Sequence, residues 1–383
     1  ALKNSLWRLR ITTVLEGNNP LTKRPARLAL AVRTMLVAAG IVLSANHASA
    51  APNYEFGTHE RIIDIGYGVF ATPMSVLGEV MRRDRILQQQ AESAGLEFRW
   101  HPYEKGVDSL KDIVAGKLDA SMPTDVVAIS AVAQTDVMLV GYVRQSFATV
   151  VGPKSWRMVD LRGKRIGNAA GTSGHNALLH GLDSAGLTES DVTLVQMNVS
   201  DMPSALLAGR IDAFSAFEPT PSSVLRQHPI RFGALHKQIS PAYFILQRSL
   251  SIRNPEGARL LVASLHRAVR WLGRGRDNLT HASQWTLTAM REFSGREPTI
   301  SEGEIIRFTR QDLLEIAGAP RIPANESESG SALSRNFEFF KKSGMLPAQL
   351  SWAKIQSSID RNIAGQVLKD SRRYRLDEFD YRP

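Results

Sequence analysis

The sequence predicts an α/β fold built as two similar α/β lobes, followed by a helical C-terminal part. Three observations lead there. Short runs rich in β-branched residues alternate with helical stretches from Arg61 to about Phe217, the pattern of mostly parallel strands joined by helices. The pattern A-G-[KR]-[LI]-D-A occurs twice, as Ala115-Gly-Lys-Leu-Asp-Ala120 and Ala208-Gly-Arg-Ile-Asp-Ala213, each after a short amphipathic helix and before a strand. Beyond Asn254 the apolar spacing becomes helical.

Taken in order, Arg61-Ile-Ile-Asp-Ile-Gly66 reads as a strand closed by glycine. Ser75 to Ala94 reads as one helix ended by Gly95, and Glu97-Phe-Arg-Trp100 as the next strand. Val107 to Val114 is a helix stopped at Gly116, after which Arg165–Asn168, Val192–Val195 and Ala213–Phe217 are further strands. In the repeated pattern, glycine suits the left-handed position after a helix and the aliphatic residue covers the helix end. The aspartate can hold the turn through local backbone amides. Asn254-Pro255 suits an N-cap with proline in the first turn, and Leu260, Leu261, Leu265, Val269 and Leu272 mark one buried face. Gly273-Arg-Gly-Arg276 reads as an exposed helix exit, Ser327–Ser331 as a polar loop, and residues 370–383 as a charged tail with little core potential.

The chain has 383 residues, and a hydrophobic share of 43% excludes an intrinsically disordered one. Its formal charge of +10 invites a nucleic-acid reading. The first fifty residues, however, hold seven of the 47 basic residues and one of the 37 acidic ones, which leaves only +4 for the rest. That first stretch has a basic segment, the short apolar run Thr34–Ala45, and then Ala48-Ser49-Ala50. The order is that of a signal peptide cleaved after Ala50, with an unexplained segment upstream. The run is well short of the ~20 residues needed to span a bilayer. The mature chain is therefore expected to be exported to the periplasm. The absence of cysteine excludes disulfides, thiolate metal sites, a cysteine nucleophile and a lipoprotein anchor.

Chemistry concentrates between Asp160 and Pro221. The strand Arg165–Asn168 leads into Ala169-Ala-Gly-Thr-Ser-Gly-His-Asn176 and then an apolar helix. A small-residue loop opening a helix offers free amides and the positive end of the helix dipole, which suits an anion. Thr172 and Ser173 add hydroxyls and His175 a ring donor; the same residues equally suit a plain N-cap. Neither a hydrolase nucleophile elbow nor a P-loop is present. Glu218 follows a strand end, where open α/β sheets bind ligands, and can accept from an amine or hydroxyl or be a solvated loop acid. Tyr67, Phe70 and Thr72 follow the first strand in the same way, although Phe70 also suits a core position; Thr124 can supply a hydroxyl from the first lobe. The nine histidines form no metal-binding motif, and no basic–aromatic interleaving suits nucleic acid.

Taken together, Asp160-Leu-Arg-Gly-Lys-Arg-Ile-Gly167, Gly171-Thr-Ser-Gly-His-Asn176, Asp201 to Ala213, Phe217-Glu-Pro219 and Phe337 to Pro347 resemble periplasmic substrate-binding proteins of ABC transporters. The resemblance is to the nitrate, sulfonate and taurine type, with its relatives that bind thiamine pyrimidine precursors, and runs from about Arg61 to Ile359. It implies a type II periplasmic fold of two α/β lobes closing on ligand by a hinge, with residues 51–145 and 240–369 in one lobe and 146–239 in the other, crossing near Val143–Val151 and Gly233–Tyr243. Thr172, Ser173 and His175 match that family's anion loop, Glu218 its pocket acid, and Tyr67 to Thr72 its first-strand loop. Phe217 stands where the family often has Trp. The implied function is capture of a small anionic or zwitterionic ligand by a monomer that docks on an ABC permease and its ATPase, with no cofactor and no catalysis. Alternatives are a periplasmic sensor and an enzyme like the pyrimidine-precursor synthases; those carry a cysteine-rich iron-binding segment absent here.

Overall fold

The computed structural model describes residues 54–57 and 60–382; the expected leader and its cleavage point lie outside them. Eight strands form one sheet: β1 (Ile62–Gly68), β2 (Glu97–Tyr103), β3 (Ala120–Ser121), β4 (Val137–Pro153), β5 (Arg165–Asn168), β6 (Thr193–Gln196), β7 (Ala213–Phe217) and β8 (Phe232–Gln247). Their order is β2-β1-β3-β8-β4-β7-β5-β6. The sheet is thus mixed, where the sequence suggested mostly parallel strands. Parallel pairing is confined to its two ends, β1 with β2 and β3, and β5 with β6 and β7. The centre is an antiparallel ribbon in which β4 pairs with β8 from Val137↔Gln247 to Pro153↔Phe232. Both expected crossovers fall inside this ribbon. β8 carries β3 on its other side and β4 carries β7, so an α/β half hangs from each edge.

The repeated hexapeptide is the joint on which each half is built. Gly116 and Gly209 both adopt φ of 68°, which favours glycine after a helix. The aspartates do more than brace their own turn. Asp119 Oδ2 accepts from the backbone N–H of Asp64 at 3.0 Å, while its own N–H donates to Asp64 O. Asp212 makes the same exchange with Arg165, 2.8 Å each way. Each aspartate therefore ties its loop to the start of the neighbouring parallel strand. One residue on, Ile65 pairs with Ala120 and Ile166 with Ala213. The aliphatic residues match as well: a Cβ on Gly66 would lie 2.8 Å from Leu118 Cδ1, and one on Gly167 would lie 2.7 Å from Ile211 Cδ1. Leu118 and Ile211 thus pack against a bare strand backbone, beyond covering a helix end. Gly167→Ala is expected to cost about 1–3 kcal/mol through overpacking, read as a lowered denaturant midpoint at unchanged slope.

Elsewhere the sequence and the structure part. The helix expected over Ser75–Ala94 is two, Met74–Arg82 and Arg85–Ser93, broken at Asp84. Asp84 caps the second helix, its Oδ1 accepting from Leu87 N at 3.1 Å. Its Oδ2 accepts from Ser264 Oγ at 2.7 Å and from Arg267 Nε and Nη2 at 2.9 and 2.7 Å. The segment expected from Val107 to Val114 is a 3-10 turn, Gly106–Ser109, and a short helix, Leu110–Val114.

The charged tail is the larger correction. Tyr374 and Leu376 are buried in the main core, Trp271 lies 4.6 Å from the Tyr381 ring, and Arg267 Nη1 donates to Tyr374 O at 2.6 Å. Composition averaged over the segment hid a few apolar side chains among many charges. The Asp84–Arg267 pair is fully buried, so breaking it from one side leaves a bare charge in the core, a loss of about 3–5 kcal/mol. Arg267→Met should accordingly lower the unfolding midpoint far more than removal of an exposed, solvent-screened pair such as Arg291–Glu297.

The remaining C-terminal segments are helical, as expected. Asn254 Oδ1 accepts from Gly257 N at 3.0 Å, with Pro255 in the first turn, and the leucine face of that helix is buried. Among the described residues, no helix is long and apolar enough to cross a membrane.

Candidate ligand-binding site

Strand ends determine where the site is. A narrow pocket is lined by Gly68, Ala71 and Met74 after β1, Gly106 and Val107 after β2, and Met122, Thr124 and Val127 after β3. From the other half come Thr172 and Ser173 after β5 and Phe217 at the end of β7. Every contributor sits at or beyond the C-terminal end of a parallel strand, where an open α/β sheet leaves a crevice. Beside it, Lys105 Nζ donates to Asn198 Oδ1 at 3.1 Å, joining a loop of each half.

The polar side of the pocket is the start of the helix Ser173–Ser184. Gly171 has φ of 73°, which turns the chain from β5 into the helix. Gly174 lets that helix sit directly on β7: a Cβ there would lie 2.8 Å from Ala216 Cα and from Ser215 O. Ser215 Oγ locks the contact by donating to Gly174 O at 2.6 Å. The N-cap reading holds for Thr172, whose Oγ1 accepts from His175 N at 3.3 Å and donates to Ala169 O at 2.7 Å. Ser173 differs. It is 1% exposed, lines the pocket, and its hydroxyl has no partner among the described residues.

Of the eight residues the sequence singled out, the structure brings Thr124, Thr172 and Ser173 to the pocket wall and leaves the rest off it. His175 Nδ1 accepts from Gly171 N at 3.3 Å and its Nε2 lies 2.9 Å from Glu189 Oε1, so the ring braces the loop. Glu218 is no solvated acid: it is 6% exposed, and its Oε2 accepts from Ser222 N at 3.1 Å. Burial pushes its carboxyl up from the usual range, against hydrogen bonds from Ser222 and the charge of Arg144. Tyr67 is buried and donates to Glu79 at 2.5 Å; Phe70 packs edge-on to Phe293 at 6.0 Å. Thr72 is fully buried beside the pocket residues Ala71 and Met74, and its hydroxyl is unpartnered among the described residues. What sequence reasoning missed is the apolar wall of Met74, Val107, Met122 and Val127. Such residues read as ordinary core until topology puts them at one sheet edge. Among the described residues, no cluster of three or more histidines, aspartates or glutamates is arranged to hold a metal ion.

Residues 92–268 match the family model described as NMT1/THI5 like. A "putative binding protein" of Brucella abortus is 26% identical over 46% of this chain and 58% of its own length. The chain thus spans somewhat over half of that relative. A "putative aliphatic sulfonates-binding protein" of Bacillus subtilis is 25% identical over 58% of this chain and 70% of its own length. Among solved structures, the alkanesulfonate-binding protein SsuA from Xanthomonas axonopodis pv. citri, bound to MOPS, superimposes with a TM-score of 0.56 at 20% identity. That match covers 79% of this chain and 98% of SsuA. The fold is therefore that of SsuA-type periplasmic binding proteins. The desulfurization enzyme DszB shares it, with a TM-score of 0.53 at 15% identity over 81% of this chain and 99% of the enzyme. Binding and catalysis have both been built on this frame, and the site residues must decide between them.

The ring of His175 is turned from the pocket, so His175→Ala is expected to leave ligand affinity within about twofold. It should cost about 0.5–1.5 kcal/mol of stability through the lost loop bonds. Calorimetric titration and thermal melts on one preparation read both.

Proposed function

We propose that the protein is a periplasmic solute-binding protein that captures a small organic anion of the aliphatic sulfonate kind and delivers it to an ABC import permease. The observation that carries this reading is the buried hydroxyl of Ser173, unpartnered among the described residues, at a helix start that lines a largely apolar pocket. Free amides and the helix dipole favour an anionic head, and the hydroxyl adds a donor. Met74, Val107, Met122, Val127 and Phe217 offer an aliphatic tail a dry surface, each buried methylene adding about 0.8 kcal/mol.

The names of the sulfonate-binding relatives support the same ligand class. Binding without chemistry fits a pocket whose polar lining side chains are three hydroxyls with no adjacent base. The chain also has no cysteine to serve as a nucleophile. Closure of the two halves on ligand would then be what the permease reads.

Calorimetric titration of the full chain with straight-chain alkanesulfonates tests this. Affinity should rise with chain length until the pocket is filled. Ser173→Ala should weaken binding about tenfold or more, the worth of a hydrogen bond to a charged group. Unchanged affinity in the variant, or no binding of any alkanesulfonate by the wild type, would overturn the reading.

A further inference from the structure

Two arginines, Arg144 and Arg267, are 0% exposed. Arg267 is fully engaged by Asp84 and Tyr374 O. Arg144 is not: Nε, Nη1 and Nη2 all lack a hydrogen-bond partner among the described residues. Its electrostatic neighbours are Asp312, Glu218 and Asp125, which oppose the downward push of burial on its pKa. Each of these carboxylates already has a neutral donor of its own. Ser146 Oγ donates to Asp312 at 2.5 Å, Ser222 N donates to Glu218 at 3.1 Å, and Asn336 Nδ2 donates to Asp125. The acids surround the guanidinium without bonding it.

The register shows where this happens. Arg144 on β4 lies opposite Ala242 on β8, and Thr124 bridges Ala242 from the far side. Paired residues project to the same face, so Arg144 stands two strand spacings, about 10 Å, from a residue of the pocket wall. Asp125 and Glu218 each directly follow a pocket residue, Thr124 and Phe217, one from each half. Ala148, four residues along β4, pairs with Phe217, so Arg144 sits on the central ribbon between pocket residues of the two halves.

We propose that Arg144 is an anion-binding residue of the cleft floor, taking the head group of an organic monoanion such as a sulfonate from the side opposite Ser173. The inference rests on the ligand reading above. A buried guanidinium with all its donors free is matched by a tetrahedral or planar oxyanion, which it can hold through two parallel bonds. The three carboxylates around it restrict the class to a single negative charge, because a second would face them.

The test uses the full chain, with hexane-1-sulfonate and the neutral hexane-1-sulfonamide as probes in calorimetric titration. The wild type should bind the sulfonate at least tenfold more tightly than the sulfonamide. Arg144→Met, shown to be folded by its melting curve, should lose that preference, and Arg144→Lys should regain part of it. A folded Arg144→Met that keeps the full preference overturns the assignment alone, with the sulfonate reading intact. A wild type with no preference for the charged probe overturns both. Should Arg144→Met fail to fold, the wild type itself carries the test. Its Arg144 Nε–H resonance should shift on addition of the sulfonate and stay still with the sulfonamide; a resonance unmoved by the sulfonate overturns the assignment.

Discussion

Everything in this molecule is hung from the antiparallel pairing of β4 with β8. These strands are more than twice as long as any needed to build a half-sheet, and they run unbroken through the middle of the sheet, so each half can add only at an outer edge. Hydrogen bonding then fixes the rest. β3 must lie on β8 and β7 on β4, and the parallel strands beyond them present their C-terminal ends toward one crevice. The ribbon thus joins the two parallel ends of the sheet.

The fold was largely legible because its signals are local. β5 and β7 coincide with the expected strands, and the repeated hexapeptide marked equivalent joints in the two halves. Its aspartates were misread only in range. An aspartate after a glycine turn can bond its own loop or a strand passing beside it, and sequence does not say what passes. The same ambiguity runs through the site. Thr172 could cap or bind, and it caps; the hydroxyl of Ser173, its neighbour, has no partner among the described residues. His175 and Glu218 have partners within a few turns of chain, which a list of residue types cannot show. Arg144 in a strand reads as an ordinary exposed cation until its burial is known.

Arg144 and Arg267 show how differently one residue type can be used at the same burial. Desolvating a guanidinium costs several kcal/mol, and only good geometry repays it. Arg267 is repaid inside the fold, by a carboxylate and a carbonyl that also join a helix break to the end of the chain. At Arg144 the neighbouring acids screen the charge without saturating its donors. The first arrangement is suited to rigidity, the second to recognition.

The strap formed by Tyr374 and Leu376 carries a consequence for how the molecule is made. Asp84 lies early in the chain, whereas the Arg267 guanidinium that answers it is held by a carbonyl 107 residues further on. A ribosome or an export channel emits the chain from one end, so the first half leaves with an unanswered carboxylate and an uncovered helix face. Closing so long a loop carries an entropic cost, which burial of Tyr374 and Leu376 helps to offset.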